Sequence, residues 1–355
     1  MDTIDLNEDF SPRPKKPKKL RIIWWTLVIV FFSYAILLSI PRFDNYKGEN
    51  PMRKQGSLPI LIAHGGGNKE FPDNTLEAFY NAYSVCENVM METDVNITKD
   101  GVVILSHDTR LDRKTNATGE IYDWNYTDLI SQKVDFSYLN GDDENGKDYD
   151  TLIKFTNDDG VAVTPLDVDY PDGVVARDDS VFLATTLEEL LIAFPNNLIN
   201  VEIKQSGEVG KKALDAVIAL IEKYDAFDRV GVASFHSDIF KELKKYMRKD
   251  IVPDNFMCSP QTMGVASFYI LQLLNLDLFY GTKISVLQIP MEQYGFNLAT
   301  RSLVEKAHRH NIAVHYWTVN DVEDMKYLIE IGADGIVTDY PHKLAEVYAQ
   351  IPALL

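Results

Sequence analysis

Short apolar runs alternate with amphipathic helical patterns from residue 58 to residue 348, and this alternation restricts the possible folds more than any other feature. Repeated strand–helix units pack as a parallel sheet with helices outside it, and eight such units close into a barrel. We therefore predict an α/β fold, the TIM (β/α)8 barrel. The candidate strands are 60–64, 89–95, 102–106, 198–203, 230–235, 256–259, 285–289, 312–319 and 335–338. The helical patterns are about 75–86, 186–194, 208–225, 237–248, 264–280, 301–311 and 321–331.

The nine candidate strands are one more than the barrel needs. Residues 96–101 alone separate the second run from the third, which is too short for the crossover between parallel neighbours. Lys99-Asp-Gly101 suits a hairpin turn, so we predict that the third run is an antiparallel appendage. From about 123 to 184 the alternation fails in a stretch rich in Asp, Asn, Gly and Tyr. We predict an insertion here, which is either a wall over the barrel mouth or a surface loop.

The residues before the barrel indicate a membrane anchor. Residues 22–40 carry no charge and are long enough, at helical rise, to cross a hydrocarbon core of about 30 Å. The apolar region of a cleaved signal peptide is usually only about 7–15 residues. Basic residues concentrate in the tail at 1–21, and a linker follows at 41–57. We predict a single-pass helix with a cytoplasmic N-terminus and an extracytoplasmic barrel.

Composition limits the possible partners. The net charge of −18 disfavours a nucleic-acid partner, because binding phosphates along a strand requires a basic face. Cys86 and Cys258 are too few for a disulfide framework and are predicted to be small core residues. One helical stretch, 265–279, is apolar on nearly all sides. It is either a barrel helix packed under its neighbours or a face that touches the bilayer. The sequence indicates no oligomeric state.

Two of the predicted barrel strands carry charged side chains within apolar runs. Glu92 and Asp94 alternate on one strand, so both carboxylates point to the same side, and Glu202 and Lys204 repeat this arrangement on another. Like charges buried together are costly unless a cation lies between them. Three carboxylates form a hard-oxygen site suited to Mg²⁺ or Ca²⁺. The alternative is a set of buried salt bridges with Lys204.

Two histidines follow apolar runs at the expected ends of strands. His64 ends the run 60–64, and His107 follows the run 102–106. Imidazole titrates near neutral pH, so a histidine pair beside a divalent cation suits general acid and general base catalysis. Together with Lys204, these groups provide what phosphodiester cleavage requires: charge neutralisation, a proton acceptor and a proton donor.

Ordered motifs resemble the glycerophosphodiester phosphodiesterase family of TIM barrels from about residue 58 to residue 348. Each motif is weak alone, but their order along the whole barrel is specific. The motifs are Ala63-His-Gly-Gly66, Pro72-Asp-Asn-Thr75, Met91-Glu-Thr-Asp-Val95, Thr98-Lys-Asp-Gly101, His107-Asp108 with Leu111-Asp-Arg-Lys-Thr115, Thr186-Leu-Glu-Glu189, Val201-Glu-Ile-Lys204, Ala233-Ser-Phe235, Trp317-Thr-Val-Asn320 and Gly332-Ala-Asp-Gly-Ile-Val-Thr-Asp339. Leu287-Gln-Ile-Pro290 and His315-Tyr-Trp317 are similar to a membrane-linked branch that includes lysophospholipase D-type enzymes.

The resemblance implies roles for particular residues. It implies that His64 and His107 act as acid and base, and that Lys204 and Trp317 contribute to the substrate site. It also implies a metal site made of three acidic residues, which here are Glu92, Asp94 and Glu202.

Two positions depart from the family pattern. Gly65 stands where the family usually has an arginine that binds the phosphate, and Asp73 stands where the family usually has glutamate. Losing a guanidinium removes a bidentate phosphate contact. Lys69, Arg113 or the amides of Gly65-Gly-Gly67 are candidates to replace it.

The sequence thus predicts a membrane-anchored, metal-dependent phosphodiesterase. Its expected substrates are glycerophosphodiesters or lysophospholipids, cleaved to an alcohol and glycerol 3-phosphate or lysophosphatidic acid. The alternatives are a catalytically weak barrel that binds phosphorylated head groups, which Gly65 favours, and a phospholipase D-type enzyme that acts on other lipids.

Overall fold

The computed structural model describes residues 18–140 and 151–351. The chain divides into two units, Met1–Arg42 and Phe43–Leu355. The first unit contains helix α1, Lys18–Ser39, whose described side chains are mostly exposed. This helix includes nearly all of the predicted span at 22–40 and is long and apolar enough to cross a membrane, although a signal sequence would meet the same criterion. The part of the predicted basic tail at 1–17 lies outside the described residues.

The second unit is built around a parallel sheet that follows the predicted strand–helix order. Its hydrogen-bonded order is β5 Val230–Ala233, β4 Ile199–Ile203, β2 Met90–Ile97, β1 Ile60–His64, β10 Gly335–Thr338, β9 Ala313–Tyr316 and β6 Val286–Ile289. Residues 256–259, predicted as a full strand, form instead an isolated bridge of Cys258 to Val232, and the Cys258 carbonyl accepts a hydrogen bond from Ser285 N. That segment nevertheless links β5 to β6, so the eight predicted positions of the barrel are filled. The remaining described strands are β3 Val103–Leu105, β7 Glu292–Gln293 and β8 Phe296–Asn297.

The third predicted strand is antiparallel, as expected. β3 pairs with β2 alone, with Val95 opposite Leu105. The turn between them contains Gly101 at φ +85°, which glycine adopts without strain. The separate hairpin of β7 and β8 was not predicted, because its strands are only two residues long.

Helices pack around the barrel after its strands, and seven of them match the predicted patterns. The apolar pattern at 264–280 forms a shorter helix than predicted, because the chain leaves the helix at Asn275, which adopts φ +54°. The last helix was not predicted, although Pro341 at its start is a typical initiator. The helices are α2 Leu76–Val85, α3 Tyr126–Ser131, α4 Leu187–Ala193, α5 Gly207–Lys223, α6 Ser237–Arg248, α7 Thr262–Leu273, α8 Arg301–His308, α9 Val322–Ile331 and α10 Pro341–Gln350.

The segment 43–57 has no helix or strand, yet it is packed against the barrel rather than serving only as a linker. Asn50 Nδ2 donates to the carbonyls of Ser285 and Asn311, and Met52 is fully buried. The Met52 carbonyl is 2.7 Å from Nε2 of His315. These bonds satisfy backbone groups at the N-terminal end of the barrel strands, so the segment closes the bottom of the barrel.

The predicted insertion contains α3 and a 3₁₀ turn at Pro165–Asp167, and residues 141–150 lie outside the described part. Arg177 ties it to the barrel, because its guanidinium donates to Glu77 on α2 and to Glu189 on α4. No described residue of 123–184 lines the cavity at the barrel mouth, so the described part of the insertion is not a wall of that cavity.

Candidate active site

The predicted site residues meet at the C-terminal ends of the barrel strands. His64 is the last residue of β1 and lies opposite Glu92 on β2. Asp94 on the same strand lies opposite Glu202 on β4. In parallel strands, side chains at paired positions point to the same side of the sheet, so the three carboxylates and His64 face one region. This is the end of a TIM barrel where active sites form.

The three carboxylates form one cluster. Glu92, Asp94 and Glu202 each offer an oxygen, and these oxygens lie within 4.8 Å of one another. Burial and the negative charge of Asp94 raise the pKa of Glu92 to about 8. Burial and Asp94 also raise the pKa of Glu202. The cluster is therefore short of positive charge.

Lys204 supplies part of that charge. Its Nζ lies 3.2 Å from Asp94 Oδ1 and 3.1 Å from Glu202 Oε1, and these carboxylates raise its pKa although burial opposes the shift. Among the described residues, no Lys or Arg forms a salt bridge with Glu92, whose Oε2 accepts the amide of Gly65 at 3.2 Å. Buried salt bridges alone thus do not account for all three acids. A cluster of hard oxygens lacking one cation fits a divalent ion.

Asn74 holds the cluster and was not predicted as a site residue. Its Nδ2 donates to Asp94 Oδ2 at 3.2 Å, and its Oδ1 accepts the Asp94 amide at 3.0 Å and the hydroxyl of Thr93 at 2.8 Å. Asn74 adopts φ +60°, which asparagine tolerates better than most residues. The motif Pro72-Asp-Asn-Thr75 carried the signal, because it opens a helix next to His64.

His64 is held by a carboxylate from the other end of the chain. Its Nδ1 lies 2.6 Å from Asp339 Oδ1, and Asn320 Nδ2 donates to the second oxygen, Asp339 Oδ2, at 2.7 Å. Burial alone would lower the pKa of His64, but the hydrogen bond to Asp339 and the charge of Glu92 raise it to about 9. Asn320 and Asp339 are the last residues of two of the family motifs, Trp317-Thr-Val-Asn320 and Gly332-Ala-Asp-Gly-Ile-Val-Thr-Asp339, but their roles were not predicted.

His107 has a similar arrangement of its own. Its Nδ1 lies 2.9 Å from Asp108 Oδ1, and Arg113 binds both oxygens of Asp108 at 2.7 Å. The hydrogen bond to Asp108 raises the pKa of His107. In both histidines Nδ1 is bonded to a carboxylate, so Nε2 is the nitrogen that remains for exchange. His64 and His107 line the same cavity.

The glycine turn is not an anion nest. Residues 65–67 have φ of +55°, +89° and +101°, but their amides already have acceptors. Gly65 N donates to Glu92, Gly66 N to the Ala63 carbonyl and Gly67 N to the His64 carbonyl. The expectation that these amides could replace the missing arginine is therefore wrong for this geometry, because the donors are engaged.

The other two candidates to replace the phosphate-binding arginine of the family are also poorly placed to contact a phosphate. Arg113 is committed to Asp108, and Lys69 is exposed. A Cβ at position 65 would lie 3.0 Å from Asp73 Cβ, so a side chain there would lie against this carboxylate. In this chain Lys114 forms the salt bridge with Asp73, with Nζ 2.6 Å from Asp73 Oδ1.

The cavity above the cluster has a volume of about 410 Å³ and two unlike sides. The charged residues described above form one side. The other side is largely apolar and includes Phe235, Val265, Tyr294 and Trp317. The rings of Phe235 and Trp317 meet edge to face with centroids 6.0 Å apart. Trp317 therefore lies where the sequence predicted, and the apolar side suits a hydrophobic part of a ligand.

Comparisons with known proteins agree with this geometry. Residues 64–343 match the model of the glycerophosphoryl diester phosphodiesterase family. A glycerophosphodiester phosphodiesterase from Caldanaerobacter subterraneus is 25% identical over 80% of this chain and 96% of its own length. A lysophospholipase D from Rattus norvegicus is 26% identical over 83% of this chain and 87% of its own length.

Solved structures share the fold. The glycerophosphoryl diester phosphodiesterase domain of a Mycobacterium tuberculosis protein has a TM-score of 0.60 at 17% identity, covering 81% of this chain and 98% of that one. An Oleispira antarctica phosphodiesterase, solved with the product sn-glycerol-3-phosphate, has a TM-score of 0.56 at 19% identity, covering 83% and 100%. The family model spans most of the barrel and includes both histidines and all three acids, so the chain belongs to the glycerophosphoryl diester phosphodiesterase family and is a phosphoric diester hydrolase.

Proposed function

We propose that this chain is a divalent-cation-dependent phosphodiesterase that hydrolyses glycerophosphodiesters or lysophospholipids. The products are an alcohol and either glycerol 3-phosphate or lysophosphatidic acid. The observation that carries the proposal is the cavity in which two carboxylate-bound histidines face a cluster of three acids and one lysine.

Glu92, Asp94 and Glu202 would hold the cation, which is Mg²⁺ or Ca²⁺ by the chemistry of its ligands. When bound, the cation offsets negative charge on the phosphoryl oxygens. Lys204 adds a second positive charge next to Asp94 and Glu202. The shortage of positive charge at Glu92 supports this assignment, as does the general dependence of the family on a divalent cation.

The two histidines move the protons. One imidazole accepts the proton of the attacking hydroxyl through Nε2, while the other donates a proton from Nε2 to the leaving oxygen as the P–O bond breaks. Asp339 and Asp108 orient the rings and stabilise the protonated forms of His64 and His107. The attacking group is either water or the free 2-hydroxyl of the substrate glycerol, which would give a cyclic phosphate that water then opens.

Gly65 weakens the contact to the phosphate. No arginine is among the described residues that line the cavity, so Lys204, together with the cation when it is bound, would contact the phosphoryl oxygens. This favours a high KM. It also supports the second candidate function, a catalytically weak barrel that binds phosphorylated head groups. A third, a phospholipase D-type enzyme that acts on other lipids, uses the same residues.

The apolar side of the cavity supports a lipid substrate. Phe235, Val265 and Trp317 offer no charge to a soluble head group but can accept the start of an acyl chain. We further propose that α1 anchors the enzyme in a membrane, with the N-terminus cytoplasmic and the barrel extracytoplasmic. The basic residues before the helix support this orientation.

Turnover of glycerophosphocholine, glycerophosphoinositol and lysophosphatidylcholine by the full chain, with Mg²⁺, Ca²⁺ or EDTA, tests the proposal. We expect diester hydrolysis that EDTA abolishes and that His64→Ala and His107→Ala each reduce by at least about 100-fold. Wild-type rates in EDTA or in either variant would contradict the mechanism. Head-group binding without turnover under all conditions would support the second candidate instead.

A further inference from the structure

α7 differs from an ordinary barrel helix in having no polar outer face. No Asp, Glu, Lys or Arg occurs between Asp254 and Asp277. Four large apolar side chains of α7 and the residue after it are between 55% and 69% exposed: Met263, Ile270, Leu273 and Leu274. Their spacing places them on one side of the helix, so the outward side of α7 is uncharged and largely apolar, with Ser267 exposed among them.

The preceding helix shows what a solvated barrel helix of this chain looks like. The exposed positions of α6 include Lys241, Lys245 and Arg248, and its apolar residues, such as Leu243 and Met247, are buried. This is the usual pattern for a helix with one side in water. The apolar outer side of α7 is therefore a local property and not a general feature of the barrel.

The apolar surface continues from α7 to the rim of the cavity. Phe296, on β8, meets the ring of Tyr269 on α7 with centroids 5.9 Å apart. Tyr294, in the turn of the same hairpin, lines the cavity and is 85% exposed. Its φ is +51°, a conformation that favours Asn or Gly over an aromatic residue. A tyrosine kept exposed in an unfavourable conformation indicates a functional surface.

The same surface continues, in the other direction, to the residues that follow α1. Phe279 is 60% exposed just after α7. The next residue, Tyr280, accepts a hydrogen bond through its carbonyl from Asn45, as does Thr282. Only residues 40–44 separate Asn45 from Ser39 at the end of α1, and an extended chain of that length reaches at most about 20 Å.

We propose that the apolar face formed by Met263, Ile270, Leu273, Leu274, Phe279, Tyr294 and Phe296, here named the α7 face, inserts into the surface of a lipid bilayer. The short connection to α1, the one described helix able to span a membrane, places a bilayer within reach of Phe279. Amphipathic aromatic rings such as Tyr294 are favoured at the boundary between lipid and water. The net charge of −18 opposes pairing of two copies through this face.

The binding is apolar in origin. The α7 face contains no Lys or Arg that would attract anionic lipids, so its affinity depends on buried apolar area and changes little with salt. This part of the inference is independent of any catalytic activity.

A consequence for the substrate rests on the proposed function. Tyr294 belongs both to the α7 face and to the lining of the cavity, and Val265 lines the cavity at the start of α7. A single-chain phospholipid in the outer layer of the bilayer can therefore extend its head group into the cavity while its acyl chain stays along the α7 face. The structure thus favours substrates taken from the membrane over those dissolved in water.

Depth-dependent fluorescence quenching tests the α7 face directly. The full chain carrying Cys86→Ser would be labelled at Ile270→Cys with an environment-sensitive fluorophore and reconstituted in phosphatidylcholine vesicles that contain a nitroxide-labelled lipid. The matched control carries the label at Lys241→Cys on the exposed side of α6. We expect loss of fluorescence at position 270 and none at 241, both at low and at high salt, and the same result when His64→Ala is added.

Equal quenching at the two positions, or none at 270, would overturn the inference. Absence of quenching, together with disulfide formation between unlabelled Ile270→Cys chains exposed to an oxidant, would also overturn the inference and would assign the face to a second copy. Quenching at 270 in a chain that cleaves no diester would support the α7 face and refute the proposed function, so the two failures are distinguishable.

Activity tests the consequence for the substrate. In the double variant Ile270→Glu with Leu274→Glu, we expect kcat/KM for lysophosphatidylcholine in vesicles to fall by about tenfold or more, because burial of two apolar side chains in lipid is lost. The rate on water-soluble glycerophosphocholine should not change. Lys241→Glu, which adds a negative charge to α6, should leave both rates as they are. Equal loss on both substrates would contradict preferential access from the membrane.

Discussion

Replacing Asp339 by asparagine should remove most activity by reversing the hydrogen bond to His64. In the native chain, Asp339 Oδ1 accepts from His64 Nδ1, and Oδ2 accepts from Asn320 Nδ2. Asn320 cannot turn around without loss, because its Oδ1 accepts the amide of Asp339 at 3.0 Å and the hydroxyl of Thr338 at 3.2 Å. The amide group of Asp339→Asn must therefore turn its oxygen toward Asn320 and its NH₂ toward His64.

That orientation makes Nδ1 of neutral His64 an acceptor and places its proton on Nε2, so Nε2 can no longer accept a proton from a group in the cavity. In addition, the protonated form of His64 loses the carboxylate that stabilises it. A charge-assisted hydrogen bond of this kind contributes about 1.5–3 kcal/mol, which corresponds to a reduction in kcat/KM of about 10- to 160-fold. The assay is kcat/KM on a soluble glycerophosphodiester at saturating cation, together with the melting temperature. We expect a large kinetic loss without a matching loss of stability.

The double variant Asp339→Asn with Asn320→Asp makes this prediction specific. A carboxylate at 320 accepts from the asparagine NH₂ at 339, which turns the oxygen at 339 back toward His64 and restores the tautomer. We expect the double variant to be more active than Asp339→Asn alone. If the single variant keeps the wild-type rate, or if the double variant is no better than the single, the role given to Asp339 is wrong.

Three further predictions follow from the charge balance of the site. Glu92→Gln should raise the melting temperature in EDTA, by an amount that grows as pH rises from about 4.5 and is complete above about 8, because the pKa of Glu92 is raised from 4.5 to about 8 and its ionised form destabilises the fold. The same variant should abolish stabilisation by Mg²⁺ or Ca²⁺, and an unchanged cation response in thermal denaturation would refute the assignment of Glu92. Lys114→Met should lower the free energy of unfolding at pH 7, measured by urea denaturation, by about 3 kcal/mol, because the largely buried carboxylate of Asp73 loses its partner. Adding Asp73→Asn should restore most of this free energy. Burial alone would raise the pKa of Asp73, but Lys114 lowers it to about 2. The stability that this pair contributes is therefore fully present above the unfolded pKa of about 3.9 and is lost as pH falls toward 2. Lys114→Met should not lose stability in this pH range, and an acid-denaturation profile equal to that of the native chain would contradict the prediction. Gly65→Arg should lower KM for a glycerophosphodiester, because it restores a guanidinium that binds phosphate. It should also lower the melting temperature, because residue 65 has φ +55° and the new Cβ would lie 3.0 Å from Asp73 Cβ. An unchanged KM would show that Gly65 does not weaken phosphate binding.

The sequence predicted those parts of the fold that depend on local pattern. The alternation of apolar runs and helices identified the barrel, and the short connection before Val103 identified β3 as antiparallel. The segment 256–259 was harder, because an apolar run does not reveal that Cys258 alone would form a bridge. The burial of Met52 was missed because the bonds that hold its segment join residues more than 200 positions apart.

The same distinction applies to the site. His64, Glu92, Asp94, Glu202 and Lys204 could be grouped because each lies within, ends or directly follows an apolar strand run, and the strands of a barrel surround one interior. The carboxylate that orients His64 could not be paired with it from the sequence, since Asp339 lies 275 residues further along the chain. The pairing of Lys114 with Asp73 is likewise a property of the folded chain.

If α1 anchors the enzyme in a membrane as we propose, the segment 43–57, which packs against the barrel through Tyr46, Asn50 and Met52, bears on how the enzyme could be released. A protease that cut after Met52 would separate Asn50 and Met52 from the bottom of the barrel and expose the backbone groups they cover. Cleavage at residues 40–42 would instead leave the barrel complete. We therefore expect cleavage directly after α1 to free an active enzyme, and cleavage beyond Met52 to inactivate the molecule that it frees.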